Sequence, residues 1–272
     1  MASACLDALA ANDDTNLLAK YLEKPALQPI RQALLTPDHT FIAPNNAAMS
    51  NAIAQGVLSE DGKDALLTLQ YHVLTKSILS AALPANTTVF VETLLNDAKA
   101  VQLRGAPQML ELERMSGNDT SLKVGDGQTM VLTTETDIQC PMGIVHVVPQ
   151  LLRYPPPAAT QMRSIDAIST FANLIDKYNV TGVTNSPVLT IFAPNNDAWT
   201  DVDKQNEHYS ASFLKAHMTA MGVFHAQDLS DNQQLTMLSG RTIEISKPDD
   251  NTLFINGIQV VKSNILASNG QG

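Results

Sequence analysis

The chain reads as two tandem α+β domains, and three observations predict this. A ten-residue segment recurs 150 residues further on, a triple proline lies between the copies, and strand-like and helical patterns follow one another in the same order in both halves. A length of 272 residues suits two domains, at about 100–200 residues each. Hydrophobic residues make up 44% and charged residues 16%, a mixture that folds rather than staying disordered.

The repeated segment is Thr40-Phe-Ile-Ala-Pro-Asn-Asn-Ala-Ala-Met49, which returns as Thr190-Ile-Phe-Ala-Pro-Asn-Asn-Asp-Ala-Trp199 with six of ten positions identical. A period this long belongs to a duplicated domain, not to a solenoid. Thr-Phe-Ile-Ala favours a strand, and the following proline keeps the residue before it out of the helical region. Asn45-Asn46 and Asn195-Asn196 are then placed to cap a helix. The predicted unit is strand, proline turn, asparagine cap, short helix. Between the copies, Tyr154-Pro155-Pro156-Pro157 is a stiff extended tract. It sets the expected boundaries at 1–153 for the first domain, 154–160 for the linker and 161–272 for the second.

Other segments keep the halves in step. Leu66 to Val73 matches Ala211 to Met218 at a shift of 145, with Leu66, Leu69 and Val73 on one helical face. Thr129 to Ile138 and Gln259 to Ile265 alternate apolar and polar residues, as half-buried strands do. Gly125-Asp126-Gly127 fails the dinucleotide-binding glycine pattern and reads as a hairpin turn. Gly143-Ile-Val-His-Val-Val148 closes the first half.

Seventeen Lys and Arg against 27 Asp and Glu leave a net charge of −10. This balance disfavours nucleic acid and anionic membrane surfaces as partners. No run approaches the roughly 18 apolar residues of a transmembrane helix. The start, Met1-Ala-Ser-Ala-Cys5, lacks the basic and apolar regions of a signal peptide. Either the protein is cytosolic, or this is the mature part of a secreted one; acceptor sequons at Asn86, Asn118 and Asn179 favour secretion. Cys5 and Cys140 are the only cysteines. Their spacing excludes a CxxC motif and leaves two readings, a pair of buried thiols or a disulfide.

These residues resemble the fasciclin family, in the style of its fungal members. The first family signature is met at 40–49 and 190–199. The second resembles the Tyr71-His72 segment, and the closing strand resembles Gly143–Val148. The resemblance covers the whole chain as two copies. It implies a wedge-shaped, twisted β-sandwich with helices along one side, in which Cys5 and Cys140 are neighbours and form a disulfide. Two departures stand out. Ala216 replaces the tyrosine of the second motif. Gly270 aligns with Gly143, so the counterpart of Ile144–Val148 is missing from the second copy. That points to a shortened chain or a further tail, because an absent central strand leaves open backbone groups and an open apolar face.

The sequence contains no nucleophile elbow, HExxH or P-loop motif, and its histidine spacing gives no metal pair. No cofactor and no metal are expected. His72, His146 and His217 sit among apolar residues and read first as satisfied core histidines. The sharper reading gives His72 or His217 a place in a pocket as a hydrogen-bond donor. Trp199 reads as a core residue with its N–H satisfied. The methionines, among them Met109, Met130, Met218, Met221 and Met237, read as core filler or as the lining of an adaptable apolar cavity between the domains.

Two functions follow. The first, which the resemblance implies, is a secreted recognition protein that binds an apolar ligand or a cell-wall or matrix partner. The second is a cofactor-free cyclase, similar to fasciclin-like hetero-Diels–Alder enzymes of fungi, that joins a quinone methide and a terpene in an apolar cleft by orientation and charge stabilisation. The expected ligand-binding residues are Tyr71, His72, Trp199, His217 and His225, with His72, His217 and Tyr71 as the catalytic candidates. The sequence leaves monomer and dimer open.

Overall fold

Each copy of the repeated segment leads from a strand into a capped helical turn. In a computed structural model, residues 4–116, 121–199, 209–249 and 252–271 are described. The chain divides into two compact units, Met1–Val101 with Ala106–Tyr154, and Gln102–Gly105 with Pro155–Gly272.

In the first unit α1 (Ala4–Ala11), α2 (Asn16–Leu22) and α3 (Gln28–Ala33) precede β1 (His39–Pro44) and α4 (Asn46–Ala54). Then α5 (Leu66–Tyr71) runs into β2 (Val73–Leu74). Val73, expected on the face of that helix, is instead a strand residue opposite Phe41. Tertiary pairing with β1 outweighs the helical spacing. A meander of β3 (Thr88–Glu92), β4 (Met109–Arg114), β5 (Leu122–Gly125) and β6 (Met130–Leu132) follows, then β7 (Glu135–Cys140) and β8 (Gly143–Val148).

Two four-stranded sheets result, β2-β1-β8-β7 and β3-β4-β5-β6. In the first, β8 runs parallel to β1 from His39 opposite Gly143 to Pro44 opposite Val148. All six residues of β1 are buried, the polar His39 and Thr40 as well as the apolar run Phe41–Pro44. Its core face joins Phe41 and Val145 to Leu22, Ile30, Met49 and Leu69 of the helices. Gly125-Asp126-Gly127 is the expected hairpin, the Asp126 carboxylate accepting the N–H groups of Gln128 at 3.0 Å and Thr129 at 2.6 Å. Cys5 and Cys140 form a disulfide, Cα atoms 5.0 Å apart, which ties α1 to β7.

The second unit repeats this order. Its elements are α6 (Ala158–Arg163), α7 (Ser169–Lys177), α8 (Thr181–Thr184), β9 (Leu189–Ile191), a 3-10 turn at Asn196–Ala198, α9 (Ala211–Lys215) and β10 (Met218–Thr219). The second half adds β11 (Gln234–Thr236), β12 (Thr242–Asp249), β13 (Thr252–Ile255), β14 (Ile258–Gln259), β15 (Leu266–Ala267) and β16 (Gly270–Gln271). The sheets are β10-β9-β16-β15 and β11-β12-β13-β14, the same plan as before.

The expected loss of the second closing strand is corrected in part. Gly270 and Gln271 pair in parallel with Leu189 and Thr190, as Gly143 and Ile144 do with His39 and Thr40. Glycine is required at both starts: a Cβ on Gly143 would strike the His39 carbonyl oxygen, and one on Gly270 the Leu189 carbonyl oxygen.

Candidate functional site

A cavity of about 520 Å³ lies within the second unit. It is lined by Thr190–Asn195, the end of β9 and its proline turn, and by the segment Ile258–Ile265. Met162 and Ile191 from the helical core and Leu229, Met237, Ile243 and Leu253 from the sheet core also border it. Residues of two apolar clusters thus line the same cavity. Its volume falls in the range of small-molecule sites. Polar groups are few, among them Gln161, Thr190, Asn195, His217 and Asn264, with Arg241 and Lys262 as cations. No Asp or Glu lines it among the described residues, although the whole chain carries −10.

Of the five expected ligand residues, only His217 lines the cavity. It follows α9, which Ser210 caps by accepting the Phe213 N–H at 3.2 Å. Its Nδ1–H donates to the Phe213 carbonyl at 3.0 Å, and the ring packs 5.0 Å from Phe213 and 5.5 Å from Phe171. Burial holds its pKa below the ordinary histidine value. The ring is thus neutral near pH 7, and its Nε2 carries a lone pair.

His72 occupies the matching place in the first unit, but its ring is saturated. Its Nδ1–H donates to the Ile42 carbonyl at 2.6 Å, and its Nε2 accepts the Leu152 N–H at 3.0 Å. Full burial pushes its pKa down to about 4. Tyr71 beside it is also fully buried, its hydroxyl without a partner among the described residues. Burial raises the phenol pKa well above its ordinary value. Both side chains belong to the core of the first unit and neither borders the cavity. His146 is a satisfied core histidine too, donating to the Ile78 carbonyl at 2.9 Å and accepting the Asp137 N–H at 3.1 Å.

Trp199 sits behind the cavity wall. It packs edge-on against Tyr209 at 5.2 Å and against the lining residue Phe213 at 6.2 Å. Its Nε1, expected to be hydrogen-bonded, has no partner among the described residues; the aromatic cluster surrounds the indole with apolar edges. His225 is buried, its backbone N–H donating to the Asp228 carboxylate at 3.0 Å. Its neighbours Phe224 and Ala226 line the cavity, and it does not. Met162 and Met237 are the lining methionines; Met218 is core and Met221 is exposed. Among the sequons, Asn86 and Asn179 are exposed at positive-φ turns, and Asn118 lies outside the described residues. The described residues hold no cluster of three or more His, Cys, Asp or Glu able to bind a metal. No described helix is long and apolar enough to cross a membrane.

The Fasciclin domain profile matches residues 13–155 and again residues 166–271. The chain belongs to the fasciclin family. A fasciclin-like arabinogalactan protein of Arthroderma benhamiae is 23% identical over 240 residues, covering 85% of this chain and 56% of its own length. One of Phaeosphaeria nodorum is 24% identical over 237 residues, covering 84% of this chain and 73% of its own. The chain thus spans little more than half of the first relative. The FAS1 domain pair of the insect cell adhesion molecule Fasciclin I is similar over 93% of both chains, at 18% identity and a TM-score of 0.42.

The structure shows what the fasciclin signature does. The first asparagine caps: Asn45 accepts the Ala48 N–H at 2.9 Å and Asn195 the Ala198 N–H at 3.1 Å. The second, expected to cap as well, holds a distant helix start. Asn46 accepts the Leu17 N–H at 2.9 Å and donates to the Asp13 carbonyl at 2.8 Å. Asn196 accepts the Thr170 N–H at 3.0 Å and donates to the Asp166 carbonyl at 2.7 Å. The threonine clamps the loop after the next strand. Thr40 donates to the Lys76 carbonyl at 2.8 Å and accepts the Ile78 N–H at 2.8 Å; Thr190 does the same with Gly222 at 2.9 Å and Phe224 at 3.0 Å. In the fasciclin domain these residues hold the scaffold. The segment Gln259–Ile265, expected as a half-buried strand, is strand only at Ile258–Gln259; the rest is irregular and lines the cavity, which strand alternation does not reveal.

Proposed function

We propose that this fasciclin-family protein is an extracellular recognition protein whose second domain binds an apolar partner in its cavity. The cavity carries the reading: about 520 Å³, walled by aliphatic and aromatic side chains, with two cations and no acid among its described lining residues. The Cys5–Cys140 disulfide, the exposed Asn86 and Asn179 sequons and the relatives' name as arabinogalactan proteins support the extracellular setting. The lining suits a neutral or singly anionic apolar group. Anilinonaphthalene sulfonate, with about 20 heavy atoms at roughly 0.3 kcal/mol each, should bind in the tens of micromolar. Its emission, together with that of the only tryptophan, Trp199, reads occupancy directly. Ala193→Glu places a carboxylate on the wall and should abolish binding without lowering Tm. A wild-type protein that gives no saturable emission refutes the cavity reading.

His217 favours a second reading, that of a cofactor-free cyclase. A neutral imidazole with a free Nε2 lone pair at an apolar cavity can orient a ligand hydroxyl for ring closure. Under this reading His217→Phe loses turnover of a quinone methide and terpene pair while the melting temperature is retained. No acceleration by the wild type removes it.

A further inference from the structure

We infer that Asn256-Gly257 is a modification site, at which Asn256 loses ammonia and becomes aspartate or isoaspartate while the fold is intact. The site stands apart from the recognition reading and needs no ligand in the cavity. Asn-Gly occurs twice in the chain, at 256–257 and at 269–270, and the fold treats the two in opposite ways. Glycine after asparagine favours this chemistry because, without a Cβ, its backbone nitrogen can approach the asparagine side chain. The first pair forms the two-residue turn between β13 and β14, with Ile255 opposite Ile258 and φ 49 at Asn256 and 79 at Gly257. This is the turn for which Asn-Gly is the preferred dipeptide. Both residues are exposed, and apart from chain neighbours no atom lies within 4 Å of where a Cβ on Gly257 would sit. The second pair is locked. Asn269 is buried, its Oδ1 accepting the Ala158 N–H at 2.7 Å and its Nδ2 donating to the Thr184 and Ser186 carbonyls at 2.9 and 2.8 Å. Gly270 is packed against the Leu189 carbonyl oxygen.

The turn also assists the reaction. Asn256 Oδ1 accepts the Glu244 N–H at 2.8 Å, and the Asn256 N–H donates to the Glu244 carbonyl at 2.9 Å. The Gly257 nitrogen gives its proton to solvent base and attacks Asn256 Cγ. Negative charge then gathers on Oδ1, where the Glu244 N–H already donates, as a single-donor oxyanion hole. The Cγ–Nδ2 bond breaks, and Nδ2 takes a proton from water and leaves as ammonia; no described residue holds it back. The product is a cyclic imide joining Gly257 N to Asn256 Cγ. Water opens the ring at Cγ to give aspartate, or at the main-chain carbonyl to give isoaspartate. In sum one water is consumed and one ammonia released, with no oxidant or reductant. The chain becomes one unit more negative than its −10. Asn256 also lines the cavity, so conversion places a carboxylate in a lining that has none among its described residues.

The test incubates the 272-residue protein at mildly alkaline pH, folded and in guanidinium chloride. Mass spectrometry of the digested protein follows both Asn-Gly peptides, and enzymatic methylation counts isoaspartate. Freeing the Asn269 side chain breaks three hydrogen bonds against one at Asn256. In the folded protein Asn256 should therefore convert at least about tenfold faster than Asn269. In guanidinium chloride the two rates should become equal. An acidic peak on anion exchange should grow in step with the Asn256 peptide and should not grow in the Asn256→Asp variant, which carries the charge from the start. Equal rates at the two sites in the folded protein overturn the inference. So does a folded protein whose Asn256 stays intact over a time in which the unfolded chain converts.

Discussion

Acid is the perturbation whose effect His72 makes calculable. The ring is fully buried and neutral: desolvation pushes its pKa down to about 4, outweighing the backbone groups that engage both nitrogens. An unfolded chain would hold the same histidine near 6.5. Below that pH the unfolded state binds a proton that the folded state refuses, so stability is complete above about pH 6.5 and falls as pH drops toward 4. The gap corresponds to about 3 kcal/mol in full, most of it lost between pH 8 and pH 4.5. This is a large share of the 5–15 kcal/mol typical of a domain. Urea titration at the two pH values measures the loss, and NMR titration of the ring assigns it. A His72 resonance that titrates near 6.5 in the folded protein refutes the reasoning.

The remaining predictions concern the disulfide, the second histidine and one strained residue. Cys5→Ser with Cys140→Ser opens a covalent loop of sequence separation 135 and should cost about 2–5 kcal/mol by urea unfolding; free-thiol titration of the unreduced, unfolded wild type should find none. His72→Ala leaves the Ile42 carbonyl and the Leu152 N–H unpaired and should cost about 3–5 kcal/mol. His217→Ala should cost under about 1.5 kcal/mol and change probe affinity instead; equal losses in the two melting curves would contradict this contrast. Val188 holds a β-branched side chain at φ 60 where its counterpart in the first unit is Asp38 at φ 67. Val188→Asn should therefore stabilise by about 1 kcal/mol, read as a higher urea midpoint at unchanged slope.

The repeat revealed the strand, the proline turn and the first asparagine cap because these are local devices, settled by neighbouring residues. What the second asparagine and the threonine do was not legible. Asn46 reaches back to Asp13 and Leu17, and Thr40 reaches forward to Lys76 and Ile78, partners that only the folded chain brings near. His72 and His217 look alike in sequence, and their difference arises on the far side of the ring, where Leu152 meets one and a cavity meets the other. Tyr71 behaves in the same way: an aromatic next to a motif histidine gives no sign of whether its ring faces a ligand or the core, where it lies fully buried. Of the closing strand only its starting glycine, Gly270 aligned with Gly143, is legible, because the two residues Gly270–Gln271 are too few for a hydrophobic period.

The Cys5–Cys140 bond also decides how the chain carries a pull. Tension applied at the N-terminus enters at Cys5 and crosses the sulfur bridge to Cys140, so the chain between them, a sequence separation of 135, bears none of it in series. At about 3.4 Å per residue, some 450 Å of chain cannot be paid out while the bond is oxidised. The load passes directly to the hairpin of β7 and β8 and on to Tyr154-Pro155-Pro156-Pro157. Reduction would turn a short, stiff tether into a long extensible one without altering a residue of either unit.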